Sequence, residues 1–178
     1  MHRLWQIFMN KRQLGNTNIN LNAIGFGGAP LGDLFENLEE KTCYNVLEKC
    51  YEKNINLYDT SPLYGYGLSE HRLGNFLKTV DEDSYYLSTK VGRYLTPEQE
   101  SKIDRGRFAG GLNFSPHLDY SYDGVMRSFE QSLIRLAVSK VDICLIHDVD
   151  KFTHGNEVDH YFKLAMEGAY KALQKLKD

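Results

Sequence analysis

The sequence predicts an α/β protein built on a parallel sheet. After a short hairpin, strand and helix patterns alternate strictly, β-α-β-α-β-α-β-α, and that order covers a parallel sheet with helices. No repeat is present beyond the βα unit itself. Hydrophobic content of 42% and charged content of 25% are those of an ordinary globular domain. A chain of 178 residues reads as one domain. Its expected bounds are residues 11–178, after an N-terminal extension over residues 1–10. That extension, "MHRLWQIFMN", has only a short apolar patch and no small-residue cleavage site, so it is a poor signal peptide.

Each element has its own signal. "KRQLGNTNINLN" alternates around an Asn-rich turn and predicts a β-hairpin. "AIGFGGAPLG" is a short apolar run that opens into glycines, a buried strand leaving for a loop. In "EKTCYNVLEKCYEKN", Cys43, Val46, Leu47, Cys50 and Tyr51 recur at helical spacing. "INLYDTS" is the second strand. "SEHRLGNFLKTV" is a helix with Leu73, Phe76, Leu77 and Val80 on one face and Ser69 as its expected N-cap. "SYYLSTKVG" is the third strand. "SYDGVMRSFEQSLIRLAVS" is the third helix, "VDICLIHDVD" the fourth strand and "DHYFKLAMEGAYKALQKLKD" the fourth helix. Right-handed crossovers allow such a sheet either to close as a barrel or to stay open and doubly wound. About 30 residues separate Lys90 from the third helix, a loop long enough to suggest function. Phe108, Phe114 and Tyr120 are expected as its pocket walls, with Arg105 and Arg107 as polar contacts.

Composition excludes several classes. Net charge is −3 with no basic block, which argues against nucleic acid. No apolar run approaches the roughly 20 residues that span a bilayer, so no membrane partner is expected. Cys43, Cys50 and Cys144 are odd in number and show no C-x-x-C. They read as buried small hydrophobes in a reducing, cytoplasmic setting. His71, His117, His147 and Asp148 lack a metal-ligand spacing, and no metal is expected.

The chemistry lies at the strand ends. Asp59, Lys90 and His147 close three successive strands at the same end, the end that carries active sites in parallel α/β proteins. Tyr64 follows Asp59 on the next loop. Taken singly these are an ordinary turn acid, a solvated lysine, a structural histidine and one of 12 tyrosines. Together they make a coherent set. A phenol, with an ordinary pKa of about 10, holds a proton to give at neutral pH. A nearby ammonium favours its phenolate, a carboxylate holds the ammonium, and an imidazole orients a carbonyl oxygen. Hydride must then come from a cofactor, because no side chain provides one. A Schiff-base role for Lys90 in a hydrolase or lyase is the rival reading.

"YDTSPLYGYGLSE", "STKVG" and "DICLIHDVD" resemble, in order and spacing, the signatures of the aldo-keto reductases. "GFGGAPLG", "FAGGLNFSP", "DYSYDGVMRSFEQSL" and "LIHDVD" carry a finer resemblance to the aldose (galactose- or fucose-type) dehydrogenases, with the pyridoxal-dehydrogenase-like members close by. The resemblance implies the N-terminal portion of a (β/α)8 TIM barrel, about four βα units plus a β-hairpin. It implies an NAD(P)-dependent oxidoreductase that transfers hydride to or from a sugar hemiacetal or similar carbonyl or alcohol, with NADP or NAD as cofactor. Tyr64 would be the general acid/base of a tetrad with Asp59, Lys90 and His147, and Gly28 and Ala29 would border the nicotinamide. A whole barrel takes about 250 residues, so the chain is expected to be a truncated product. Its partners would be a small carbonyl or sugar substrate, and either a second copy or a missing C-terminal half. A non-catalytic half-barrel that serves as an interaction module is the alternative.

Overall fold

The structure, a computed structural model, describes residues 11–177; the extension expected over residues 1–10 lies outside the described residues. β1 (Arg12–Gln13) and β2 (Asn20–Leu21) form the expected antiparallel hairpin. The strands β3 (Phe26–Gly27), β4 (Leu57–Asp59) and β5 (Tyr86–Val91) follow. β6 (Arg93–Pro97) and β7 (Phe114–Leu118) pair antiparallel, and β8 (Ile143–Ile146) returns to the main sheet. That sheet is parallel throughout, in the order β3-β4-β5-β8. The intervening helices are α1 (Glu40–Glu52), α2 (Leu68–Leu77) and α3 (Tyr122–Leu136). After β8 come α4 (Lys151–His154), α5 (Val158–Leu164), a π turn (Ala165–Ala169) and α6 (Tyr170–Lys177).

Strand order equals chain order, with no reversal. Tyr58, Leu87 and Val91 alternate to the helix side, where Cys43 and Leu47 of α1, Leu73, Phe76 and Leu77 of α2, and Val125 and Leu136 of α3 meet them. Ala165, Ala169 and Ala172 extend this core under the last helix. Val46 falls off the α1 stripe and is exposed. Leu57, Asp59, Ser88, Lys90, Ile143 and Leu145 alternate to the other side. That side carries no helix among the described residues, and Leu145 is 46% exposed there. Helices on one face only are the arrangement of part of a (β/α) barrel, not of a doubly wound sheet. The hairpin is tied to the opposite end of the strands: Asn22 N–H donates to Asn56 Oδ1 at 2.8 Å, and Asn56 Nδ2 donates to Asn20 O at 2.9 Å.

Two local expectations are corrected. The long connection after Lys90 is not structureless, because β6 and β7 pair over five residues each and a 3-10 turn (Glu100–Lys102) lies between them. Ser69 is not a helix cap: Gly67 holds that position at φ +96° without a side-chain cap bond, and Ser69 turns inward. The core also contains an anomaly. Tyr58 is fully buried and its hydroxyl has no hydrogen-bond partner among the described residues. Tyr58→Phe should therefore raise stability by about 1 kcal/mol, since the cost of an unsatisfied buried group disappears. A denaturant midpoint that falls would mean the hydroxyl is satisfied.

Candidate active site

The loop leaving β4 is folded by its own glycines. Gly65, Tyr66 and Gly67 are consecutive left-handed residues at φ +61°, +55° and +96°. A Cβ on Gly65 would stand 2.5 Å from Gly32 O, so only glycine lets this loop press against the loop after β3. Ser69 Oγ donates to Gly28 O at 2.7 Å and lies 2.8 Å from Thr60 Oγ1. Glu70, fully buried, accepts from Thr89 Oγ1 at 2.8 Å and from Arg135 Nε at 2.6 Å. The "LSE" of the loop motif is thus internal glue that fixes α2 against β3, β5 and α3.

Register sets the site. Gly27, Asp59, Ser88 and Ile143 are level across the sheet, and Lys90 is level with Leu145 one step higher. His147 stands just beyond β8, its N–H donating to Val91 O at 3.0 Å. Period-two alternation puts Asp59, Lys90 and His147 on the helix-free face. Lys90 Nζ donates to Asp59 Oδ2 at 2.6 Å and to Thr60 O at 2.9 Å. Ser88 Oγ donates to the other Asp59 oxygen at 2.7 Å. The ammonium lies 4.8 Å from the centroid of the Tyr64 ring, a cation–π distance. The Tyr64 ring meets His147 edge-on, with centroids 5.9 Å apart and planes at 87°. The four sequence-predicted residues are brought together.

His147 is buried and heavily supported. Its Nδ1 lies 3.0 Å from Ser61 Oγ and its Nε2 3.4 Å from Asp148 Oδ1. The other Asp148 oxygen is 3.0 Å from Arg93 Nη1. The Tyr120 hydroxyl donates to the carbonyls of His147 and Asp148 at 2.6 and 3.1 Å. Burial pushes the imidazole down to about 4; Asp148 opposes the shift, and Arg93 and Lys90 reinforce it. In the unfolded chain the ring protonates near its ordinary value of about 6.5. Between those values the unfolded chain binds more protons, so stability should fall as pH drops from 6.5 to 4, by on the order of 3 kcal/mol. Above pH 6.5 this group adds no slope. His147→Gln should remove that part of the acid loss from denaturation curves taken at several pH values, and an unchanged profile would refute the assignment.

The predicted cofactor border is engaged structurally. Gly28 N–H donates to Asp59 O at 2.7 Å, and a Cβ there would stand 2.7 Å from the same oxygen. Ala29 begins the 3-10 turn beside it. A Cβ on the neighbouring Gly27 would meet nothing within 4 Å among the described residues, so the sheet face next to Asp59 is open.

Arg105, Tyr120 and Phe108 of the long connection are engaged elsewhere than at the expected pocket. Arg105 donates to Gly110 O, Leu112 O and Asn113 Oδ1 within its own loop. Tyr120 is buried behind His147, with its hydroxyl on the His147 carbonyl, and lines a separate cleft with Tyr161 and Gly168 rather than the tetrad's face. Phe108 packs on Tyr66, with centroids 5.8 Å apart. Sequence reasoning missed Ser61, Ser88, Arg93 and Asp148 as members of the site. Ser88 was legible two residues before Lys90 on the same face, and Ser61 two residues after Asp59. Burial pushes the Cys144 thiol up to about 12, which keeps it inert.

Among the described residues no group of three potential ligands is placed to hold a metal, and no helix is long and apolar enough to cross a membrane. The chain is 38% identical to the pyridoxal 4-dehydrogenase of Microbacterium luteolum, over 94% of its own length and 52% of that protein's. It is 35% identical to the D-threo-aldose 1-dehydrogenase of a Pseudomonas species, over 87% of its length and 46% of that protein's. It therefore spans about half the length of the curated relatives it matches. A solved aldo-keto reductase of Bacillus halodurans, in its holo form, superposes with a TM-score of 0.61 at 27% identity, covering 90% of this chain and 47% of that one. The aldo/keto reductase family model matches residues 23–178. With the strand-end constellation and the one-sided helical cover, that match places the chain in the aldo/keto reductase family.

Proposed function

We propose that residues 11–178 are the proton-handling half of an NAD(P)-dependent aldo-keto reductase barrel. Its substrate would be an aldose hemiacetal or a pyridoxal-like alcohol and the corresponding carbonyl, as the names of the relatives suggest. The observation that carries this reading is the Asp59–Lys90 ion pair beneath the Tyr64 ring, with His147 edge-on to that ring. Tyr64 gives its phenolic proton to the carbonyl oxygen in reduction and takes the hydroxyl proton in oxidation. Lys90 places positive charge beside the ring, which stabilises the phenolate left behind. Asp59 and the Thr60 carbonyl hold that ammonium, and Ser88 fills the second carboxylate oxygen. His147 orients the carbonyl oxygen. A bound nicotinamide would supply or accept the hydride, and Gly28 and Ala29 would border it beside the open face at Gly27. The three free cysteines, buried or half-buried, fit a reducing, cytoplasmic setting.

The helix-free face with exposed Leu145 supports a second reading, a half-barrel whose role is to bind another chain. An assay separates the two. The 178-residue chain is mixed with the C-terminal half of the Microbacterium luteolum relative, and nicotinamide absorbance is followed with pyridoxal, aldoses and either cofactor. Activity in the mixture, with weak or no dinucleotide binding by the chain alone, supports the enzyme. Association with no turnover on any substrate supports the binding module.

A further inference from the structure

We propose that Ser61 is a positioning residue for His147: its hydroxyl donates to Nδ1 and thereby keeps the imidazole proton on Nε2. Ser61 is fully buried. A serine hydroxyl has one proton to give and two lone pairs to receive. Leu63 N–H already donates to Ser61 Oγ at 3.1 Å, and His147 Nδ1 lies 3.0 Å away. Were the ring proton on Nδ1, Oγ would accept twice. Its own proton would then have no acceptor among the described residues, in a place closed to solvent. Leaving one buried donor unsatisfied is the costly arrangement. With Ser61 as donor, all three groups are satisfied.

A second observation selects the same tautomer. Asp148 Oδ1 lies 3.4 Å from Nε2. A carboxylate there attracts an N–H and repels a ring lone pair. Asp148 cannot turn away easily. It sits at φ +54°, its carbonyl accepts from Tyr120, and its other oxygen faces Arg93. Ser61 thus hydrogen-bonds one ring nitrogen, and the Asp148 carboxylate, near the other but not hydrogen-bonded to it, favours the proton there by its charge and leaves that N–H free to donate. Burial, which disfavours the imidazolium, leaves a neutral ring with one donor.

The use of that donor rests on the reductase reading: an Nε2–H can hydrogen-bond a substrate carbonyl oxygen, whereas a bare Nε2 would repel it. The tautomer itself can be read without turnover, by long-range ¹H–¹⁵N correlation on the full chain labelled with ¹⁵N-histidine. The His147 signals are those lost in His147→Gln. At pH 7 the wild-type spectrum should show a protonated, pyrrole-type Nε2 and a pyridine-type Nδ1 shifted by an accepted hydrogen bond. In Ser61→Ala the Nδ1 signal should move to the unbonded pyridine position, or both nitrogens should average toward a tautomer mixture. A wild-type ring protonated on Nδ1 would overturn the proposal, and so would a Ser61→Ala spectrum with both shifts unchanged. Should Ser61→Ala not fold, the wild-type spectrum alone decides. An Nε2–H tautomer in a protein that transfers no hydride would sink the reductase reading and leave the Ser61 assignment standing. Full turnover with an Nδ1–H ring would do the reverse.

Discussion

Tyr64→Phe should lower turnover of the completed barrel by about 10²- to 10⁴-fold, the usual contribution of a general acid or base. That range equals roughly 3–5 kcal/mol of transition-state stabilisation at about 1.4 kcal/mol per decade. The substitution removes one oxygen and keeps the ring, so the contacts with Lys90 and His147 persist. No described residue takes up the Tyr64 hydroxyl, so stability should hold within about 0.5 kcal/mol. The diagnostic pattern is a collapse of kcat with an unchanged melting temperature and unchanged dinucleotide affinity. Retention of most of the turnover would reduce Tyr64 to an aromatic wall.

The largest expected effect on stability is at Glu70. Its carboxylate is fully buried against Arg135, whose side chain is 9% exposed, and against the Thr89 hydroxyl. Glu70→Ala leaves a guanidinium buried without its counter-charge, and breaking a buried pair from one side costs about 3–5 kcal/mol. Urea denaturation should show that loss, with much of it recovered in a Glu70→Leu/Arg135→Met double variant that removes both charges. A loss below about 1 kcal/mol for Glu70→Ala would show that water reaches the pair.

The sequence displays the βα order, the parallel sheet and the three strand-end groups because they rest on local periodicity and on strand phase. Asp59, Lys90 and His147 follow from alternation alone, once the strands are placed. Less legible was whatever depends on register between distant segments. That Ser88 stands level with Asp59 follows from strand pairing, which no local pattern encodes. Ser69 looked like a cap because serine before a helix usually is one, and tertiary contact with Gly28 took its hydroxyl instead. Tyr120 reads in the sequence as a pocket wall of the long loop. Only the fold of β6 and β7 turns it back under the His147 carbonyl. The pairing of β6 with β7 was hidden by "SPHL", since a proline inside a run argues against a strand except at an edge.

Isotope transfer tests the central claim most directly. The completed barrel is incubated with NAD(P)H carrying deuterium on the transferred position and with a carbonyl substrate such as pyridoxal, and the alcohol product is weighed by mass spectrometry. The Asp59–Tyr64–Lys90–His147 assignment predicts one deuterium on the new carbinol carbon, with no substrate trapped on Lys90 by borohydride. A product without deuterium, or a borohydride-stable adduct on Lys90, would contradict it and place the site in Schiff-base chemistry.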